Sequence, residues 1–229
     1  MNPFYRSSLR RTCTLKMSII IHQTSVSPPA RAALIIADLL GLKVETREVN
    51  LPSRDHFRAE YLAKNPLHTV PLLEDGDFVL ADSHAISTYL VSKYGGEHEN
   101  LYPKDVAVRA IVDQRLYFDA SILFTRLRAV IYGVVQDKTR ISEQQVSDII
   151  ECYNVAEAYL TKSYIAADHL TVADVSCITT ISSLDCIVAV NKKYARLHEW
   201  WNRLRKENWY QKHNEPGLRL FNGFIKQFL

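Results

Sequence analysis

SIIIHQTSVSPPARAALIIADLLGLKVETREV, residues Ser18 to Val49, is the stretch that decides the fold. An apolar run (Ser18 to His22) leads into Ser27-Pro28-Pro29, and apolar residues then recur at helical spacing from Ala30 to Leu40 before Gly41. Proline at the first helical positions and glycine just past the last are start and stop signals for a helix. A second strand, Lys43 to Val49, is predicted to follow at once. Strand, helix and strand within about thirty residues make a βαβ unit, whose strands run parallel across a right-handed crossover.

Outward from this unit, a short helical stretch (Asp55 to Ala63) precedes Val70-Pro71-Leu72-Leu73, the turn Glu74-Asp75-Gly76-Asp77, Phe78-Val79-Leu80, and a helix from Ser83 to Tyr94. An Asp-Gly pair between short apolar runs predicts a hairpin. The first part of the chain is therefore βαβ followed by ββα, an α/β domain with a mixed four-stranded sheet in thioredoxin-like order. It lacks the redox motif of that fold, because the helix start offers Ser-Val-Ser-Pro-Pro and no cysteine. Gly95, Gly96 and the polar residues to Pro103 read as a linker. Beyond it no strand signal survives. Asp105 to Val135 predicts one long helix, Ser142 with Gln145 and Thr171 with Asp174 resemble capping boxes, and further helices are expected near Tyr194 to Lys206 and Pro216 to Phe228. The expected division is an extension over 1–16, an α/β domain over 17–96, a linker over 97–104 and an all-helical domain over 105–229.

Composition bounds the function. The hydrophobic fraction is 47% and the charged fraction 23%, values of an ordinary globular protein. No apolar run approaches the roughly 18 residues of a membrane span, so no membrane partner is expected. The formal charge of +3 resides in Met1 to Lys16, which holds Arg6, Arg10, Arg11 and Lys16 and no acid, leaving −1 on the rest. A near-neutral body gives no electrostatic reason to expect nucleic acid. The basic extension is read as lying outside the fold; a mitochondrial presequence shares its composition. The four cysteines, Cys13, Cys152, Cys177 and Cys186, show neither CxxC nor metal-ligand spacing, so no metal is expected, and reduced thiols point to the cytoplasm.

The chemistry concentrates at three places. Ser27 stands at the N-cap of the first helix, where free N–H groups and the helix dipole favour an anion; on local grounds it is equally a plain cap, and Ser25 is an alternative donor. Val70 before Pro71 suits a cis peptide in a tight turn, with backbone free to pair with an extended ligand. Asp82 and Ser83 open a helix, where they can hold both an amine and a carboxylate.

With these pieces in order, residues 17 to 229 resemble a cytosolic glutathione transferase, of the insect epsilon class with the delta class next. The motifs that carry the resemblance are SPPARA (Ser27 to Ala32), NPLHTVP (Asn65 to Pro71), DSHAISTYLVSKYG (Asp82 to Gly95), LYPKD (Leu101 to Asp105), VDQRLYFD (Val112 to Asp119) and LTVAD (Leu170 to Asp174). Ala167 and Ala195 depart from the family pattern, which has glycine and proline there.

The resemblance implies glutathione as co-substrate, hydrophobic electrophiles as its partners in reaction, and a homodimer. It implies that Ser27 hydrogen-bonds the glutathione sulfur and that His56 and His68 lie near the glycyl carboxylate. Val70, with Pro71, would pair with the cysteinyl backbone, and Asp82 and Ser83 would grip the γ-glutamyl end. His22 and His84 are read as ordinary solvated histidines. Phe124, Arg128 and Tyr132, four residues apart on one helical face, are the expected electrophile pocket, with Trp209, Phe221 and Phe224 from the tail. The implied activity is conjugation of glutathione to foreign electrophiles, with dehydrochlorinase, peroxidase, isomerase and non-catalytic carrier roles as rivals on the same scaffold.

Overall fold

A computed structural model describes residues 18–228; the extension over 1–16 and Cys13 lie outside them. The order is β1 (Ile19–Gln23), α1 (Pro28–Leu39), β2 (Val44–Glu48), a 3₁₀ turn (Asp55–Phe57), α2 (Ala59–Leu62), β3 (Leu72–Asp75), β4 (Phe78–Ala81) and α3 (Ser83–Tyr94). The sheet order is β2-β1-β3-β4, with β1 parallel to β2 and antiparallel to β3, and β3 antiparallel to β4. The mixed four-stranded sheet of the thioredoxin-like domain is thus present as expected.

Local chemistry explains the edges. Ser27 caps α1, Pro28 and Pro29 fill its first turn, and Gly41 at φ 64° releases the chain from it, a conformation glycine adopts without steric cost. β3 starts at Leu72 and not at Val70, since Pro71 has no N–H to give a ladder. The hairpin turn is Gly76-Asp77 alone. Asp75, expected in the turn, ends β3 buried, and its carboxylate accepts from Tyr89 (2.8 Å), Lys93 (2.7 Å) and Tyr94 (2.6 Å) of α3.

The helical region contains α4 (Val106–Phe118), α5 (Phe124–Val135), α6 (Glu143–Tyr159), α7 (Val172–Asp185), α8 (Ala195–Leu204) and α9 (Glu215–Ile225). The expected single helix over 105–135 carries a wide π turn at Asp119–Leu123, and a second π turn, Tyr210–Asn214, leads into α9. Both capping boxes form, at Ser142 with Gln145 and Thr171 with Asp174.

Every residue of α7 from Val172 to Leu184 is buried. Most of its hydroxyls tolerate this because they bond inside the helix, Thr179 to the Ser176 carbonyl (2.9 Å) and Ser183 to the Thr179 carbonyl (2.8 Å), whereas the Ser176 hydroxyl has no partner among the described residues. Asp174 at its start accepts from the backbone N–H of Ile165 (2.8 Å) and Thr171 (2.9 Å), the Thr171 hydroxyl (2.9 Å) and the Trp200 indole (2.9 Å). One apolar cluster runs through both halves, from Ile21, Ile35 and Ile36 to Ile178, Leu184 and Ile225. Among the described residues no helix is long and apolar enough to cross a membrane.

Candidate active site

The strand registers gather the singled-out loops at one end of the sheet. His22 near the end of β1 faces Arg47 near the end of β2 and Leu72 at the start of β3, and Leu72 faces Ala81 at the end of β4. Hence the segments 24–27, 49–58, 68–71 and 82–83 all leave the sheet on the same side. That end carries unusual backbone. Of the four non-glycine residues with positive φ among the described residues, three sit here: Arg54 (59°), His68 (46°) and Asp82 (75°). The Val70-Pro71 peptide is cis, as expected, and Val70 has no backbone hydrogen-bond partner among the described residues.

At Ser27 the cap and the donor role are compatible. The hydroxyl oxygen accepts from the Ala30 N–H at 3.4 Å, a long and weak bond. Accepting uses a lone pair and leaves the O–H proton free to donate. The Ser27 N–H is held by the Thr24 carbonyl at 3.0 Å. Ser25, two residues before Ser27, is packed against the far end of the chain, since a Cβ added at Gly217 of α9 would stand 2.0 Å from the Ser25 carbonyl oxygen.

The 65–71 loop is knitted by Asn65, which is buried; its amide donates to the Thr69 carbonyl (2.9 Å), which Tyr61 also reaches (2.7 Å). The His56 and His68 rings lie 6.1 Å apart. Burial, then the neighbouring His68 and Arg54, push His56 below its ordinary pKa despite Asp55. Asp82 caps α3, one oxygen accepting from the N–H of His84 (2.9 Å) and Ala85 (3.0 Å). A hydrogen bond from His84 holds its carboxyl below the usual range, so it is an anion at neutral pH. Ser83 beside it is buried.

The expected electrophile face is less unified. Arg128 and Tyr132 line one surface groove of about 540 Å³ with Thr125, Gly133 and Gln145, while Phe124 is not part of its lining and packs half-buried against the core. Of the tail aromatics, Trp209 and Phe221 are core residues and Phe224 is 37% exposed.

Residues 21–98 match the family described as "Glutathione S-transferase, N-terminal domain". Across both halves, the chain is 41% identical over 213 residues to Glutathione S-transferase 1 of Manduca sexta, covering 91% of this chain and 98% of that one. The chain belongs to the glutathione transferase family. Solved transferases agree: an epsilon-class enzyme from the housefly Musca domestica superposes with a TM-score of 0.90 at 39% identity, covering 92% of this chain and 98% of that one. A transferase homologue from Drosophila mojavensis, solved with bound glutathione, gives 0.89 at 40% identity, covering 92% and 97%.

Three residues of this transferase were missed by pattern reading. His84 is no solvated histidine. Its Nε2 meets the Asp119 carboxylate at 2.8 Å and its Nδ1 lies 3.5 Å from Asp82. Burial would lower its pKa, but the hydrogen bonds with Asp119 and Asp82 prevail and raise it to about 9. His84 thus ties the first turn of α3 to the π turn, which brings Asp119 inward; π turns recur at functional sites. His22 is likewise engaged, 2.5 Å from Glu74. The other missed residue is Arg31, 1% exposed, which donates to the Thr179 carbonyl (3.2 Å) and the Ser183 hydroxyl (2.6 Å) of α7. Burial lowers it to about 10, against Tyr210 and Cys186, so it stays cationic. No short-range signal marks it, because its partners lie about 150 residues on.

Proposed function

We propose that the Ser27 hydroxyl donates to the sulfur of bound glutathione and holds it as a thiolate, which attacks the electrophilic carbon of a hydrophobic substrate. The new carbon–sulfur bond forms as the leaving group departs with its electron pair. His56 and His68 lie near the glycyl carboxylate, the Val70 backbone beside Pro71 pairs with the cysteinyl unit, and Asp82 and Ser83 hold the γ-glutamyl end. The observation that carries this reading is the convergence of those loops at one sheet end, with a serine O–H free to donate and an ionised Asp82 at that same end.

Magnitudes support the division of labour. A thiol of pKa near 8.5 is only about 3% ionised at pH 7. A hydrogen bond to a charged group contributes about 1.5–3 kcal/mol, and a pKa unit is about 1.4 kcal/mol. One serine donor therefore lowers the thiol by roughly one to two units, to about 25–75% thiolate. The N-terminal end of α1 acts in the same direction. Ser27 stabilises the nucleophile and is itself neither nucleophile nor base.

The test is thiolate absorbance of the glutathione complex against pH. With Ser27→Ala the curve is expected to move up by about one to two units, with turnover at pH 6.5 down tenfold or more and largely recovered near pH 9. Coincident curves would refute the assignment and turn attention to Ser25.

On the electrophile side, Arg128 and Tyr132 offer a cation and an exposed ring in one groove, with Phe124 nearer the core. Cytoplasmic residence fits the reduced cysteines. A homodimer fits the exposed apolar residues Val106 (82%), Ile111 (41%) and Tyr117 (72%) on α4 and Phe78 (44%) on β4. Light scattering that gives only a 26.3 kDa species at micromolar concentration would exclude the dimer.

A further inference from the structure

Arg54 occupies a backbone position that most residues avoid. It holds φ 59°, ψ 31° in the left-handed region, where a side chain is strained and glycine is not. A non-glycine residue kept in such a conformation points toward a use for its side chain. The guanidinium carbon lies 4.5 Å from the centre of the Phe57 ring. Phe57 in turn stacks on His68 at 4.5 Å with 28° between planes, and its centre is 4.3 Å from that of His56. Phe57 is 38% exposed, so core burial is not what holds it there; the ring carries a cation on a surface shared with both histidines.

Among the described residues no acid pairs with this cation. Asp55, the acid next to it in sequence, meets Arg58 at 2.7 Å. The Nδ1 atom of His56 is buried without a partner among the described residues. His56, lowered by burial, carries little charge at the pH where a thiolate exists, whereas an arginine remains charged throughout.

We propose that Arg54 is a specificity-determining residue of the glutathione site, its guanidinium, steadied by Phe57, attracting the glycyl carboxylate of the tripeptide. This rests on the reading that places that carboxylate near His56 and His68. The fold keeps a strained arginine where glycine would be easier, and the binding of a carboxylate offsets that strain.

The experiment compares KM for glutathione with KM for its glycyl ethyl ester, in the wild type, Arg54→Gly, Arg54→Lys and His68→Ala, with thermal melting of each. Arg54→Gly is expected to raise KM for glutathione about three- to tenfold and to leave that for the ester within about twofold, the range of a partly exposed charge pair. Its melting temperature is expected to rise, by about two degrees, since glycine relieves the left-handed strain. Arg54→Lys recovers most of the preference for the acid. An Arg54→Gly enzyme whose two KM values are unchanged, or rise together, overturns the proposal. If His68→Ala raises KM for glutathione while Arg54→Gly does not, only the role of Arg54 is lost; if neither responds, the placement of the carboxylate falls with it.

Discussion

The loop end of the sheet and helix α7 treat their polar groups in opposite ways. At the loop end three polar residues, Arg54, His68 and Asp82, sit on strained backbone at positive φ, and the buried Nδ1 of His56 has no partner among the described residues. In α7 every residue from Val172 to Leu184 is buried, and Asp174 is saturated by four donors. Satisfied polar groups fix a structure, while unsatisfied ones on strained backbone are what a ligand completes. Substitutions in the two regions should therefore separate stability from binding.

The largest effect is expected at Asp174. Asp174→Ala strands four donors in the core and should cost about 3–5 kcal/mol, lowering the melting temperature by roughly ten degrees. A folded Asp174→Ala protein should keep the thiol pKa of its glutathione complex; a displaced curve would break the contrast.

Next comes His84, which joins the two regions. Its folded pKa lies above the unfolded value, so the stabilisation is fully present below about pH 6.5 and lost as pH rises through about 9. The span corresponds to as much as about 3 kcal/mol. Denaturant unfolding at pH 6 and pH 9.5 should show this loss in the wild type and a much smaller one in His84→Gln.

A change in α9 should reach the loop end through one carbonyl. Gly217→Ala forces the Ser25 carbonyl or α9 to move, at about 2 kcal/mol of stability, and should also raise the thiol pKa by displacing the turn that presents Ser27. An effect on melting alone would mean that the turn does not feel α9.

The smallest stability effect belongs to Asp82→Gly. Glycine relieves φ 75° and loses only a few tenths of a kcal/mol as an N-cap, so stability should stay within about 1 kcal/mol. KM for glutathione should nevertheless rise, by roughly tenfold, with the loss of the Asp82 carboxylate that pairs with the γ-glutamyl amine. Equilibrium unfolding beside steady-state kinetics checks both halves.

What was legible in the sequence follows the range of the forces involved. Ser27-Pro28-Pro29, Gly41 and the boxes at Ser142 and Thr171 act within one helical turn, and the sequence predicts those boundaries closely. The site loops were legible as motifs, because Val70-Pro71 and Asp82-Ser83 carry their chemistry locally. The π turn at Asp119 was not, since periodicity tells nothing of a histidine 35 residues earlier in the chain. Asp75 looked like a turn residue because Asp-Gly is the common hairpin signal; its burial depends on Tyr89, Lys93 and Tyr94, a helix away. Arg31 looked like any polar position of α1, and only the packing of α7 against it turns it inward.

The apolar cluster common to both halves bears on how the chain could be divided. Ile35 and Ile36 of α1 belong to the same cluster as Ile178 and Leu184 of α7, and Leu101 of the connection between α3 and α4 is buried in it as well, so the two halves adhere chiefly through side chains. A cut among the exposed residues 96–100, ahead of Leu101, would sever little that stabilises the fold. Two separately expressed fragments, each insoluble or poorly folded alone, should complement one another on mixing, which makes this connection the natural place to split the protein into a reporter of proximity.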